Sequence, residues 1–206
     1  MTAQSETTPK TRLAFLSTIG DLHITTLQYD LACLRALLVQ IAPDLLCAEL
    51  SRTAWERNNL VGVSLEVREA LIPVVMASDI VLIPVTPERS TDSMLLPEWR
   101  QLLVRTFDRV LQWGQRQAKG PEGIHSLTFE TFCHSVCALT EMSWTAAERD
   151  AWRTQNEALA ANILQAVHRD PGCRVLAVVQ CQRVHTLEPI LKRHKDLIEL
   201  VRYKDL

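Results

Sequence analysis

The sequence has no cluster of basic residues and no long apolar run. Lysine and arginine number 22 against 24 for aspartate and glutamate, so the chain lacks the positive surface by which proteins bind nucleic acid or an anionic membrane. The polar opening MTAQSETTPKT is followed by an apolar run, Leu13 to Leu16, that is far too short for a signal-peptide core or a membrane span. We therefore expect a cytoplasmic protein with no nucleic-acid partner and no membrane partner.

Several familiar catalytic patterns are also missing. The chain has no glycine-rich phosphate loop, no Gly-x-Ser-x-Gly and no His-Glu-x-x-His, which disfavours nucleotide-dependent transfer and serine or zincin hydrolysis. Six cysteines are present, mostly inside apolar segments. A free thiol there behaves as a small buried hydrophobe, so we expect reduced cysteines in a reducing compartment.

Short apolar runs alternate with amphipathic segments through residue 87. The predicted strands and helices of this part lie at 12–17, about 27–41, 45–50, 51–58, 64–77 and 80–85. Such alternation predicts parallel strands joined by right-handed crossovers. Pro84 removes a backbone donor from the third strand, so we expect that this strand lies at an edge of the sheet or ends there.

The pattern changes after residue 87, where only helical periodicity is found until residue 168. The three predicted helices of this part lie at 95–118, 127–142 and 145–168. The alternating pattern then resumes with a strand at 173–181, a helix at about 186–194 and a strand at 196–203. Thr145 and Glu148 have the spacing of a capping box. We predict a disordered tail at 1–11 and a single α/β domain at 12–206. Its mostly parallel sheet of about five strands is flanked by helices, and a helical insertion at 95–168, before the fourth strand, covers the site.

Three polar side chains follow strands of the predicted sheet. His23 lies in the loop after the first strand, Glu49 ends the second strand, and His185 follows the fourth. Carboxyl ends of neighbouring parallel strands meet at one crevice, so these side chains are expected to converge there. Two imidazoles and a carboxylate can ligate a divalent metal, or can work without metal as a general base with an orienting acid.

Each of these residues also has a structural interpretation. A single histidine after a strand is often a hydrogen-bonded loop residue, and Glu49 inside an apolar run needs a partner such as Arg68. Asp21 lies beside His23, where it can orient the imidazole or add a ligand.

The segments around these positions resemble the TraB/Tiki superfamily, which has ChaN-like and erythromycin-esterase-like relatives. The matching segments are STIGDLH (17–23), APDLLCAEL (42–50), WRTQNEALAANIL (152–164) and RVLAVVQCQRVHTLEPIL (174–191). The resemblance implies that His23 and His185 correspond to the paired motif histidines, and Glu49 to the strand-end glutamate. It also implies a function of the kind found in these families, whose members include metal-dependent peptidases, haem-binding proteins and hydrolases that open ester bonds.

The chain departs from the family pattern in two places. The second Gly-x-x-His motif has Gln182 where glycine is expected, and a side chain there fills or reshapes space that glycine leaves to a ligand. The Arg-Asn pair of the long helix reads Gln155-Asn156, with Arg153 nearby. The motif positions expected to contact a bound cofactor are Gly20, Asp21 and Gln182.

The leading hypothesis is a hydrolase-like enzyme, of peptidase or esterase type, acting on a small molecule or a peptide. His23, Glu49 and His185 then bind a divalent metal or activate a water directly. The alternative is a non-catalytic protein that binds haem or another small ligand in the same crevice, because imidazole ligates haem iron and the insertion supplies apolar cover. A scaffold that binds a protein partner is a third interpretation, and a homodimer stays open.

A second group of candidate metal ligands lies in the insertion, at Cys133, His134 and Cys137. The two thiols share a helix face, but CHSVC has neither the Cys-x-x-Cys spacing nor a second ligand pair. We therefore expect plain core cysteines. His125 and His168 are expected in a loop and at a helix end, and the tryptophans at 99, 113, 144 and 152 are expected to pack the insertion.

Overall fold

A computed structural model describes residues 10–26, 28–88 and 97–206 of the chain. The strands are β1 Thr11–Thr18, β2 Leu45–Ser51, β3 Val81–Thr86, β4 Arg174–Gln180 and β5 Ile198–Arg202. They form one parallel sheet in the order β3-β2-β4-β1-β5. The predicted α/β class, with a parallel sheet of about five strands, is confirmed.

The helices connect these strands across both faces of the sheet. They are α1 Leu31–Ile41, α2 Arg52–Glu56, α3 Ile72–Met76, α4 Glu98–Gln117, α5 Gly120–Ile124, α6 Leu127–Ser143, α7 Ala146–Arg169 and α8 Cys181–Leu191. A π-helical segment, Val67–Leu71, leads into α3, and short 3-10 turns follow β1, α8 and β5. Within the described ranges, no helix is both long enough and apolar enough to cross a membrane.

The central strands β1, β2 and β4 are buried on both faces, which is why they appear in the sequence as nearly continuous apolar runs. One face packs against α1 and α3, where Leu34 meets Leu16 and Leu46 in a common core. The other face packs against α7 and α8, with Ile163 and Leu187 in the core there. β3 is an edge strand, which is one of the two outcomes predicted from Pro84, and it continues past Pro84 to Thr86.

Helices α4 to α7 lie between β3 and β4 and correspond to the predicted insertion, whose residues 95 and 96 lie outside the described ranges. α4 and α6 approach each other closely, because a Cβ on Gly114 would lie 2.2 Å from the ring of Phe132. α7 starts at the predicted capping box of Thr145 and Glu148. Its apolar face packs on the sheet, so α7 is also the crossover helix between β3 and β4.

Three predicted boundaries change. The predicted tail at 1–11 lies outside the described ranges for residues 1–9, and β1 already begins at Thr11. The helix predicted from residue 27 begins at Leu31, because the Asp30 carboxylate accepts the backbone N–H of Cys33 at 2.7 Å and caps it there. The helix predicted from about 186 begins at Cys181, directly after β4.

Candidate functional site

The sheet changes winding direction on both sides of β4. The chain leaves β1 and β2 for helices on one face, and it leaves β4 for α8 on the other face. Neighbouring strands whose connections leave to opposite faces open a crevice at their carboxyl ends, where proteins of this class bind ligands. The site is therefore centred on the end of β4, between Glu49 of β2 and Ser17 of β1.

His23 is buried in the 3-10 turn after β1, with 1% of its surface exposed. Its Nδ1–H donates to the backbone oxygen of Tyr29 at 2.6 Å, and its Nε2 accepts the backbone N–H of Ile19 at 3.3 Å. Burial lowers the pKa of His23, although the bond to Tyr29 opposes it. A neutral imidazole with both nitrogens engaged holds the loop after β1 in shape.

The neighbouring motif positions have different surroundings. Gly20 has a φ of +60° and starts the 3-10 turn, which favours glycine because other residues are strained there. Asp21 is exposed. The predicted role of Asp21 in orienting His23 is filled instead by the Tyr29 carbonyl.

Glu49 joins the ends of β2 and β4 to the first turn of α8. Its Oε1 accepts the backbone N–H of Gln180 at 2.6 Å, and its Oε2 accepts Nε of Arg183 at 3.0 Å. The side chains of Glu49 and Arg183 are each only 15% exposed. Burial raises the pKa of Glu49, and Arg183 and the Gln180 N–H oppose that shift. The predicted need for a cationic partner is met by Arg183 and not by Arg68, the example taken from the sequence.

The guanidinium of Arg183 has a second set of partners on α7. Its Nη1 donates to Oδ1 of Asn156 at 2.9 Å, and its Cζ lies 4.5 Å from the centre of the Trp152 ring. Asn156 is fully buried and also bonds the backbone oxygen of Trp152. Asn156 is therefore linked to Glu49 through the Arg183 guanidinium. Arg153, by contrast, lies at the surface in an ion pair with Asp150.

Glu66 is a buried carboxylate that sequence reasoning does not select. Its Oε1 accepts the hydroxyl of Thr18, at the end of β1, at 3.1 Å. Its Oε2 is buried and has no hydrogen-bond partner. Glu66 adds negative charge near both His23 and Glu49.

A cavity of about 200 Å³ lies at the carboxyl ends of β1 and β4, between α6 and α8. We call it the thiol cavity because two cysteine side chains line it. Its lining residues are Ser17, Ile124, Phe129, Glu130, Thr131, Cys133, His134, Cys181, Val184, His185 and Glu188. The insertion thus forms one wall of this cavity through α6.

Cys181 is the first residue of α8 and is 6% exposed. Its Sγ accepts the side-chain N–H of Gln115, on α4, at 3.2 Å and lies 3.7 Å from Sγ of Cys133, on α6. The hydrogen bond from Cys133, with those from Gln115 and the Gln182 N–H, lowers the pKa of Cys181 although burial opposes it. Hydrogen bonding with Cys137 and Cys181 raises the pKa of Cys133. The pKa of the Cys181 thiol is therefore lowered, whereas the pKa of the neighbouring Cys133 thiol is raised.

His185 lies one turn after Cys181 on α8 and not in a loop. Its Nδ1 is buried without a hydrogen-bond partner, and its Nε2 lies 3.9 Å from Oε1 of Glu141. Its ring stacks on His134 at 5.1 Å between centroids. Burial, followed by the charge of His134, lowers the pKa of His185 to about 4. The imidazole is neutral at neutral pH and has an unengaged ring nitrogen.

The side chains of the predicted metal site do not converge on one point, and most of their donor atoms take part in hydrogen bonds within the protein. His23 uses both ring nitrogens, Glu49 uses both oxygens, and His185 lies in the thiol cavity. Among the described residues, no group of three or more histidine, cysteine or acidic side chains is arranged to hold a metal ion. Metal and haem stay predictions, and no chemical step below requires either.

Gln182 lies in a separate small cavity of about 90 Å³ beside α7. Trp144, Trp152 and Glu141 are among the residues that line it. The glutamine that replaces the expected glycine therefore points toward the tryptophans of the insertion. This position is distinct from the thiol cavity.

Sequence reasoning found His185 but not its neighbours. The sequence predicts Cys181 and Cys133 as small core residues and offers no reason to select Gln115. No spacing connects these three positions, because they lie on α8, α6 and α4. One available signal was that Cys181 and His185 are four residues apart and so share a face of any helix that contains both.

We compared the chain with protein-family models, curated proteins and solved structures, and none of them matches. The resemblance to the TraB/Tiki superfamily therefore rests on the short motifs alone and stays a prediction.

Proposed function

We propose that this protein is a hydrolase that uses Cys181 as its nucleophile and His185 as the base. The observation that carries the proposal is that a thiol accepting a hydrogen bond from Gln115 and an imidazole with an unengaged nitrogen line one cavity at the carboxyl ends of the strands. Activated nucleophiles of this kind occur beside a general base. The hydrolase class agrees with the TraB/Tiki resemblance, whereas the cysteine nucleophile is specific to this chain.

The start of α8 suits this pair of residues. Side chains four residues apart share a helix face, so Cys181 and His185 lie on the same face of α8. The positive end of the helix dipole also favours a thiolate at the first position. No side chain caps α8, which leaves N–H groups of its first turn to stabilise a developing oxyanion.

The reaction is acyl transfer in two steps. Nδ1 of His185 takes the Cys181 proton while the sulfur bonds to the carbonyl carbon of an ester or amide. The bond to the leaving oxygen or nitrogen breaks, and His185 returns the proton to that atom. A water, deprotonated by His185, then attacks the thioester, releases the acid and restores the Cys181 thiol.

The lining of the thiol cavity favours a small acyl group. A volume of about 200 Å³ is below the range of drug-sized ligand pockets, roughly 300 to 1,000 Å³. Ile124, Phe129 and Val184 give it apolar walls, and Glu130 and Glu188 lie beside them. Carboxylates there favour neutral or cationic substrates, such as small esters and short peptides, over anionic ones.

Glu49 and His23 act as positioning residues in this proposal. Glu49 fixes the Gln180 N–H and Arg183, which flank Cys181 in sequence. His23 fixes the Tyr29 carbonyl, and the Tyr29 hydroxyl donates to the backbone oxygen of Ser17 at 2.8 Å. Glu49 and His23 thus hold the walls of the thiol cavity indirectly, Glu49 through the start of α8 and His23 through Tyr29.

The test is hydrolysis of p-nitrophenyl acetate, whose acyl group is small, in buffer with a chelator. We expect Cys181→Ala and His185→Gln to lower kcat/KM by on the order of a hundredfold or more. Cys173→Ser, a half-buried cysteine outside the cavity, is the matched control and should retain the wild-type rate. Iodoacetamide should inactivate the wild type and should label Cys181.

Two results would contradict the proposal. One is a wild-type rate no greater than that of Cys181→Ala. The other is activity that survives Cys181→Ala but is lost with the chelator, which would favour the predicted metal site at His23, Glu49 and His185.

A further inference from the structure

Two of the six cysteines meet inside the thiol cavity although they belong to different helices. Cys133 on α6 and Cys181 on α8 place their sulfurs 3.7 Å apart. A disulfide bond is about 2.05 Å long, so the two sulfurs must approach by less than about 2 Å to be joined. Cys137, one turn along α6, is also hydrogen-bonded to Cys133, whereas Cys33, Cys47 and Cys173 do not line the cavity.

The two thiols are chemically unequal, which is the arrangement of a peroxide-reactive pair. Sγ of Cys181 accepts hydrogen bonds from Gln115 and Cys133, and such bonds stabilise a thiolate. Cys133 keeps its proton as the donor. In thiols that react with peroxide, the thiolate attacks first and a neighbouring thiol resolves the product.

The reagent has a route to the sulfur. Both cysteines are buried, at 4% and 6% exposure, yet both line the thiol cavity of about 200 Å³. Hydrogen peroxide is close to water in size, and the cavity exceeds the space that one water needs. Bulk burial therefore does not shield Cys181 from a small hydroperoxide.

We propose that Cys181 and Cys133 form a reversible disulfide when the protein meets a hydroperoxide. Cys181 is the attacking thiol and Cys133 the resolving thiol, and the bond ties the insertion helix α6 to α8. The inference does not depend on the hydrolase proposal, because it is measured by mass and not by turnover.

The reaction balances with hydrogen peroxide as the oxidant. The Cys181 thiolate bonds to one peroxide oxygen, the O–O bond breaks, and the departing hydroxide takes a proton to become water. Sγ of Cys133 then attacks Sγ of Cys181, the S–O bond breaks, and the hydroxyl leaves as a second water with the Cys133 proton. Two thiols are oxidised to one disulfide, and one peroxide is reduced to two waters.

The experiment treats the full-length wild type with stoichiometric hydrogen peroxide, followed by alkylation in denaturant and mass spectrometry. We expect the loss of two of the six alkylatable thiols, and a fall of about 2 Da in the mass of a sample taken before alkylation. Dithiothreitol should restore all six. Trypsin should release peptides 120–149 and 175–183 as a cross-linked pair. The first peptide contains Cys133 and Cys137, and the second contains Cys181.

Two serine variants one helical turn apart identify the resolving residue. Cys133→Ser should abolish the cross-link, and Cys137→Ser should retain it. Gln115→Leu keeps both thiols but removes a hydrogen bond to Cys181, so it should slow disulfide formation several-fold and shift the pH dependence of the rate upward. That pH shift separates a role in acidifying the thiol from general loss of structure.

Three outcomes would overturn the inference, and each is visible in the wild type. The first is six free thiols after peroxide treatment. The second is a disulfide between Cys133 and Cys137, which would lower the mass of peptide 120–149 without a cross-link to peptide 175–183. The third is oxidation of Cys181 to sulfinic acid while Cys133 stays reduced. Esterase activity that persists in the fully cross-linked protein would contradict the hydrolase proposal and leave the disulfide inference intact.

Discussion

At the scale of single residues, the ion pair of Glu49 and Arg183 connects strand, helix and insertion. Both side chains are mostly buried, and each has further hydrogen bonds, to the Gln180 N–H and to Asn156. Pairs of this kind gain little net stability but are costly to break, because the remaining charge is left without compensation.

We expect Glu49→Gln to lower the free energy of unfolding by about 3 kcal/mol, as measured by urea denaturation. The matched variant is the double substitution Glu49→Gln with Arg183→Met, which removes the stranded charge and should recover much of the loss. If the double variant is as unstable as the single one, the uncompensated charge is not the cause. Esterase rates on both variants would then show whether fixing the start of α8 matters for catalysis.

Glu49 also shows how far sequence reasoning reaches at this scale. A carboxylate in an apolar strand correctly indicated a buried ion pair, because burial without a partner is too costly. The identity of the partner could not be predicted, since Arg183 lies on a helix whose start was misplaced. Glu66 could not be selected in this way, because it lies among mixed polar and apolar residues of a predicted helix, and only the fold brings it beside Thr18.

At the scale of helices and strands, predictions succeeded where a boundary has its own local chemistry. The capping box at Thr145 and Glu148 fixed the start of α7. The start of α8 was missed because the first residue has no side-chain cap and the strand passes directly into the helix. Cys181 therefore looked like the end of a strand, and its position as a candidate nucleophile could not be inferred from the sequence.

The cap of α7 gives a test at this scale. Thr145 Oγ1 accepts the N–H of Glu148 at 3.3 Å, and a Glu148 oxygen accepts the Thr145 N–H at 2.7 Å. We expect Thr145→Ala to reduce the free energy of unfolding by about 1 kcal/mol. Thr131→Ala, at an exposed position inside α6, should change it much less. An equal effect of both substitutions would show that the cap adds nothing beyond a threonine side chain.

At the scale of the whole molecule, buried histidines make stability depend on pH. His125 accepts the backbone N–H of Ser17 on Nε2 at 3.0 Å, and burial lowers its pKa to about 4. Its unfolded value is about 6.5. Below that pH the unfolded chain binds a proton that the folded protein does not, so stability is complete above pH 6.5 and falls as the pH drops toward 4.

Substitution of His125 by glutamine, which keeps an acceptor, should flatten this dependence. From pH 6.5 to pH 4, we expect the wild type to lose on the order of 3 kcal/mol relative to His125→Gln, as measured by urea denaturation across that range. His168→Gln, at an exposed position, is the control. Parallel curves for wild type and His125→Gln would contradict the assignment. His185, whose pKa is also lowered to about 4, adds a loss of the same sign to both proteins.

The strand order has a consequence for how the chain reaches this structure. β1 and β2 are synthesised first, yet they are not neighbours: each pairs with β4, which follows the entire insertion. Until residues 174–180 leave the ribosome, Leu13 and Leu16 have no strand beside them on that side, and the nascent sheet must hold open a gap one strand wide. Folding dominated by such distant pairings is slow. A half-made sheet with apolar edges is also prone to aggregation.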